Sequence, residues 1–399
     1  MSVTLIKSAE LRCSEVGFKE FIELSGKILR MGGTSEVVVI DAEGNVIEGN
    51  ELCDVLKRLG CSYVPVARAG SNKLSRSFIT LESLGFYDEL SPPKSRVFND
   101  VVELLYRNWP TPVVMLRSLS SDSVRVWAKL EWYNPFSCSV KDRIAWYMLN
   151  KVLSRANKYE KLYEATSTNT GLALAALSNI YGLRSRLYVP STAQRCVDYI
   201  FRLIGAEVVR GKASITVEMI EDVKREALRD GALNLNQFEN DANFEVHLRY
   251  TAKEIDLQAR DGKLRLTAVV GGLGTSGHLS AISHYMKNRY GEHIKIIGAQ
   301  PAGGAVIPGI RRVETGMKWL HLVTIDKIYD ITLEEALEGV IQVARGDGLI
   351  IGLSGGAVVK ALQNALHDKI VSDGDILIII PDHGLKYIEI IEKCEEYLT

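Results

Sequence analysis

From about residue 124 the chain alternates short apolar runs with longer helical periods, and this pattern restricts the fold more than any other feature. Val124 to Leu130 ("VRVWAKL"), Leu162 to Ala165, Leu187 to Val189, Leu266 to Val270, Ile294 to Gln300 and Ile376 to Ile380 read as strands. They are apolar without strict alternation, as strands buried on both faces of a parallel sheet are. The pattern predicts an α/β chain.

The first hundred residues differ. "SEVVVIDAEGNVIEGNELCDVLKRLGCSYVPVARA" carries its own strand, turn, helix, strand signature, and "SPPKSR" at 91–96 reads as a linker. Residues 1–97 are therefore expected to form an appended unit. Its Asp41-x-x-Gly44 turn and following helix resemble the small domain shared by ParB-like proteins and archaeal serine kinases. Those families carry an Asp-Gly-His-His-Arg type motif where this chain has Glu48-Gly49-Asn50-Glu51-Leu52, so a structural or dimer-supporting role is expected instead.

At 399 residues the chain has room for two or more structural units. Its 48 Lys and Arg against 49 Asp and Glu give a net charge of -1, which argues against nucleic-acid binding by bulk electrostatics. Cys13, Cys53, Cys61, Cys138, Cys196 and Cys394 are scattered, with no C-x-x-C pair and no histidine at metal spacing. Neither a disulfide framework nor a metal site is expected, and a reducing compartment fits. The N-terminus is charged too early for a signal peptide. The longest stretch free of Asp, Glu, Lys and Arg, near Leu266 to Met286, is broken by glycines, serines and histidines and cannot span a membrane. The expectation is a cytoplasmic protein without nucleic-acid or membrane partners.

Three loops between a strand and a helix carry candidate chemistry. "ATSTNTGLAL" (165–174) sets five small polar residues, Thr166 to Thr170, before a helix. Capping needs only Asn169 or Thr170, so the whole run points to an anion cradle. "VVGGLGTSGHLSAI" (269–282) has glycines at 271, 272, 274 and 277, suited to closing backbone amides around a phosphate. No ribose-binding acid follows the next strand, where Gln300 and Pro301 stand, so a phosphate other than a dinucleotide's is expected. His278 reads as a helix-start hydrogen-bonding residue. In "IIGLSGGAVVKAL" (350–362), Ser354 is either an N-cap or a partner for a ring nitrogen.

Lys141 raises the sharper question. In "KLEWYNPFSCSVKDRIAWYML" (129–149) it stands between a turn signal and an apolar helix. By itself it reads as an exposed helix-start lysine, because burying an ammonium is costly. The alternative is an amine held neutral or covalently capped, which would make it a nucleophile or Schiff-base former.

Taken together and in this order, these segments resemble the fold-type II pyridoxal-phosphate enzymes, and within them the cysteine synthase branch. "NPFSCSVKDR" corresponds to that family's Asn-Pro-x-x-Ser-x-Lys segment, "NQFENDANFEVH" (236–247) to its Gln-Phe-x-Asn-x-Ala-Asn stretch, "WPTPVVML" (109–116) to its Thr-Pro motif and "IPDHGLKY" (380–387) to its C-terminal strand and turn. The likeness is closer still to archaeal O-phosphoserine sulfhydrylases, which share "KLEWYNPFS", "NQFxNDANFE" and "IPGIRRVETG", here at 129–137, 236–245 and 307–316.

The resemblance implies a two-domain, tryptophan synthase β-like fold with parallel sheets, extended by residues 1–97. Residues 98–145 and 245–399 would form the large cofactor domain, and 146–244 a small mobile domain carrying the substrate-carboxylate loop. Lys141 would hold pyridoxal 5'-phosphate as a Schiff base and act as general base. Asn169 would meet the cofactor's 3-hydroxyl. Gly274, Thr275, Ser276, Gly277 and His278 would hold its phosphate, and Ser354 its pyridine nitrogen. Thr166, Ser167, Thr168, Thr170, Gln237 and Phe238 would bind the substrate. Thr168 departs from the family's common glycine and His278 from a threonine. The implied reaction makes L-cysteine from O-phospho-L-serine and sulfide through an aminoacrylate, in a homodimer. O-acetylserine sulfhydrylase and cystathionine β-synthase chemistry are the alternatives. A phosphate dianion favours a guanidinium, which assigns Arg311 to the leaving group, against a surface salt bridge to Glu314 for either member of the Arg311-Arg312 pair.

Overall fold

The computed structural model describes residues 3–69, 77–156 and 158–397. Its largest sheet has six strands in the order Lys327–Ile331, Lys295–Pro301, Leu266–Gly272, Gly374–Ile380, Val124–Leu130, Val113–Met115. The first five run parallel. The last, Val113–Met115, is antiparallel, so the sheet is not purely parallel as the apolar runs had implied. Consecutive residues of the central strand enter opposite cores. Leu377 and Ile379 meet Leu279 and Ile282 of the helix Gly277–Tyr290, while Ile376 and Ile378 meet Ala357, Val358 and Ala361 of the helix Leu353–His367. With apolar partners on both faces, alternation disappears from the sequence.

A second sheet is fully parallel, in the order Glu207–Arg210, Arg184–Val189, Lys161–Ala165. One face, through Leu187 and Val189, packs on Val197 and Phe201 of the helix Cys196–Leu203 and Ala175 of the helix Asn169–Ile180. The other, through Tyr163 and Tyr188, packs on Val223 and Ala227 of the helix Ile220–Arg229. In these two sheets three strands escaped the sequence reading: Glu207–Arg210, Lys327–Ile331 and Val113–Met115. All are short sheet edges with mixed burial, where the apolar signal is weakest.

The N-terminal unit has a mixed sheet ordered Thr4–Lys7, Tyr63–Arg68, Val38–Ile40, Val46–Glu48, with the helices Phe18–Met31 and Asn50–Arg58. Cys13 and Cys53 are paired in a disulfide, their Cα atoms 6.1 Å apart, a single pair where no disulfide framework was expected. A separation of 40 residues gives no sequence signal of pairing. The unit docks on the rest of the chain through a shared apolar core and through buried polar bonds. Arg58 bonds Glu245 at 2.6 Å, and Lys253 donates to the carbonyls of Leu59 at 2.8 Å and Phe86 at 2.6 Å. Ser25 meets His284 of the helix Gly277–Tyr290 at 3.0 Å. Among the described residues no helix is long and apolar enough to cross a membrane.

Beneath the large sheet lies a fully buried ionic cluster. Arg143 bonds Glu131 at 2.6 Å and Glu254 at 2.6 Å, Lys129 bonds Glu254 at 2.8 Å, and none of these side chains is exposed. Removing one member strands the others in a medium that cannot hydrate them. Glu254→Ala is expected to lower stability by about 3–5 kcal/mol in chemical denaturation. Glu338→Ala, which breaks a pair to Lys360 in which the glutamate side chain is 54% exposed, should cost under about 1 kcal/mol. Equal small losses would mean that the cluster does not hold the fold.

Candidate active site

Lys141 opens the helix Lys141–Ala156, and its flanking residues fix that opening. The Asp142 carboxylate accepts the N–H groups of Phe136 at 2.7 Å and Ser137 at 2.9 Å, and Arg143 enters the ionic cluster. Val140 donates to the carbonyl of Pro381 at 2.9 Å, and Ser139 pairs with Asp382 in an antiparallel bridge. The loop before the lysine is thus zipped to the end of the central strand. From Asn134 to Lys141 it is one residue longer than the Asn-Pro-x-x-Ser-x-Lys pattern. Cys138, in the left-handed region at φ 47°, absorbs a tight bend there.

The half-buried Lys141 lines a cleft of about 150 Å³. A single water needs only about 10–15 Å³, so the cleft admits a ligand. Burial pushes the Lys141 ammonium down to about 8, with Asp382 opposing the shift and Lys386 adding to it. Ser167, Thr168, Asn169 and Thr170 share the lining with Gln237, Phe238, Gly274, Thr275 and Arg311.

The polar loop splits into two roles. The helix begins at Asn169, inside the polar run rather than after it, with Thr168 at its N-cap and no side-chain cap bond. Thr166 does not face the cleft. Its hydroxyl accepts the Gly171 N–H at 2.8 Å, bracing the loop from behind, so its implied contact with substrate is not what this geometry offers. Gly171 is needed for that approach, since a Cβ there would sit 2.5 Å from Thr166 Cγ2. Thr170 donates to Gln237 Oε1 at 2.7 Å, and the backbone N–H groups of Asn236 and Gln237 both donate to Glu164 at 2.9 Å. Burial outweighs these bonds and pushes the Glu164 carboxyl up to about 7.

The glycine loop fits a phosphate. Ser276 takes φ 72° at the N-cap of Gly277–Tyr290, and among the described residues its buried hydroxyl has no partner. Thr275 accepts from Asn243 Nδ2 at 2.9 Å and keeps its own proton to donate. A Cβ on Gly274 would come 2.5 Å from the Gly309 carbonyl oxygen. An anion at this helix start would meet free amides, the positive end of the helix dipole and an unpaired hydroxyl.

Of two further expected contacts, His278 lies apart from the cleft and Ser354 lies directly behind its wall. His278 turns behind the loop, its ring 5.1 Å from that of His247, and burial pushes it down to about 3, so it is neutral. Ser354 is buried near the start of Leu353–His367, beneath the loop that carries Gly309; a Cβ on Gly309 would stand 3.6 Å from its hydroxyl.

The two arginines have different surroundings. Arg312 bonds Glu314 at 2.9 Å and Asp330 at 3.1 Å. Arg311 lines the cleft, donates to the Gly274 carbonyl at 2.8 Å, lies 5.2 Å from the Phe238 ring centre, and among the described residues forms no ion pair. Burial pushes it down to about 10, so it stays cationic at neutral pH.

Sequence reasoning gave no role to Asp382, Lys386 or Asn243. Lys386 Nζ donates to Asn169 Oδ1 at 2.6 Å, Asp382 Oδ2 accepts from Asn169 Nδ2 at 2.8 Å, and Asn243 ties Thr275 to the Gln237 carbonyl at 2.8 Å. Their segments, "IPDHGLKY" and "NQFENDANFEVH", were visible as family matches, but nothing local marks which side chains turn inward.

Known proteins match this architecture. The family described as "Pyridoxal-phosphate dependent enzyme" matches residues 104–382. Cysteine synthase B of Escherichia coli (strain K12) is 34% identical over 72% of this chain and 95% of that protein. Cysteine synthase B of Pseudomonas aeruginosa is 33% identical over 70% of this chain and 93% of that protein. The crystal structure of cysteine synthase from Entamoeba histolytica superposes with a TM-score of 0.63 at 27% identity, covering 75% of this chain and 91% of that one. The chain belongs to the pyridoxal-phosphate dependent enzyme family and has its fold-type II architecture.

Proposed function

We propose that this protein makes L-cysteine from O-phospho-L-serine and sulfide by β-replacement. When bound, pyridoxal phosphate supplies the electron sink that acidifies the substrate's α-proton and lets its β-substituent leave. Thr275, Ser276 and the amides at Gly277 would hold the cofactor's phosphate, Asn169 its ring hydroxyl and Ser354 its ring nitrogen. Lys141 would anchor the cofactor and then move the proton at the substrate's α-carbon, a task suited to an amine whose affinity lies near the working pH. Ser167, Thr168 and Thr170, at a helix N-terminus, would bind the substrate carboxylate, with Gln237 holding Thr170. Thr166 would support that loop. Closure of residues 146–244, the small domain, over the carboxylate would exclude water.

Arg311 carries the choice of phosphoserine: its guanidinium, held by the Gly274 carbonyl and by Thr315, has no carboxylate partner among the described residues and lines the cleft, half-buried against an aromatic ring. Arg311→Ala is expected to lower kcat/KM for phosphoserine by roughly ten- to a hundredfold and to leave acetylserine nearly unchanged. Arg312→Ala should affect neither, because its partners lie on the surface. Equal losses for both substrates would reassign Arg311 to supporting the glycine loop through the Gly274 carbonyl.

The Lys141 environment predicts a pH profile. Only the neutral amine attacks an aldehyde, and a depressed affinity makes that form abundant at lower pH. Cofactor uptake by the apoenzyme should rise with pH and level off above about 8. A rise continuing toward the ordinary lysine value would mean that the amine is solvated. Lys141→Ala should abolish turnover and leave the phosphate cradle intact.

A further inference from the structure

Lys386 reaches back from the turn that follows the central strand, and its ammonium is fully committed. It donates to Asn169 Oδ1 at 2.6 Å, to the Ser137 carbonyl at 2.8 Å and to the Cys138 carbonyl at 3.2 Å. These acceptors match the three donors of an ammonium. Its side chain is 14% exposed, and Asp382 Oδ2 lies 3.4 Å away. That same oxygen accepts from Asn169 Nδ2 at 2.8 Å and from the Tyr387 hydroxyl. The Asn169 amide is therefore gripped at both ends by opposite charges. Inverting it would set an amide NH₂ against an ammonium and a carbonyl oxygen against a carboxylate, and both contacts would turn repulsive. One of the two Nδ2 protons goes to Asp382. The other remains on a side chain that lines the cleft, where the Tyr387 hydroxyl also lies against the amide.

We propose that Lys386 is a positioning residue whose ammonium, with the Asp382 carboxylate, locks the Asn169 amide so that its second N–H faces the cofactor's ring hydroxyl. This rests on the reading of Asn169 as a cofactor contact. The same ammonium holds the Ser137 and Cys138 carbonyls, so it couples the loop before Lys141 to the start of the helix Asn169–Ile180. Lys386 touches neither substrate nor cofactor itself. It acts through Asn169, and its charge also weakens proton binding at Lys141.

A double-mutant cycle on the full-length holoenzyme separates positioning from general support. Pyridoxal phosphate dissociation is measured by equilibrium dialysis for wild type, Lys386→Met, Asn169→Ala and the double variant, together with the visible absorption band of the bound cofactor. Each single change is expected to weaken the cofactor by roughly three- to tenfold and to move the band in the same direction. The double variant should lie within about twofold of the weaker single, because the two act as a unit. Lys386→Arg should restore most of the affinity. Additive losses, or no change with Lys386→Met while Asn169→Ala weakens binding, overturns the proposal. No change with Asn169→Ala overturns the cofactor-contact reading and the proposal with it. If Lys386→Met does not fold, Asp382→Asn, which removes the opposite charge at constant size, runs the same cycle with the same criteria.

Discussion

A buried ion cluster sets the direction of one lysine. Arg143 lies two positions past Lys141 and is held by Glu131 and Glu254 where no side chain is exposed. Asp142, between them, caps the preceding loop. With both following residues committed, the first turn of the helix has no freedom to rotate, and Lys141 is left facing the cleft. Such a cluster contributes little net stability compared with an apolar replacement, but breaking it is expensive. In the proposed reaction its value is geometric, because an amine misplaced by an ångström would lose much of its effect on a proton.

The cleft offers two different settings in which negative charge could be held. The glycine loop uses neutral donors at a helix start and depends on close approach: Gly274 to the Gly309 carbonyl and Gly277 to Asn243. Arg311 uses a full charge at the same loop, which it touches through the Gly274 carbonyl. In the proposed reaction the first site holds a group that stays and the second a group that leaves. The N-terminal unit supports this arrangement from behind. It grips the helix Gly277–Tyr290 at His284 and the segment containing Asn243 through Glu245, next to the Thr275 contact.

The α/β class, the principal strands and the loops around Lys141, Thr166 to Thr170 and Gly274 to Gly277 were legible because each has a local signature of period or turn chemistry. The edge strands were not, since a strand with one neighbour need not be apolar. The Arg143–Glu254 bond joins residues 111 apart in sequence, and the disulfide spans 40. Neither leaves a local trace. Thr166 and His278 were grouped with their loops although their side chains turn away, because adjacent residues at a bend point in different directions. The choice between Arg311 and Arg312 likewise needed the backbone path, which places acidic partners beside one and the cleft beside the other.

The central claim is that the cleft processes a β-substituent bearing a dianion. The direct measurement is kcat/KM of the wild-type enzyme for O-phosphoserine and O-acetylserine with sulfide, and for serine with homocysteine. Phosphoserine is predicted to exceed acetylserine by at least about tenfold, as one charge-assisted contact allows. Equal or faster turnover of acetylserine, or cystathionine as the preferred product, would contradict the account.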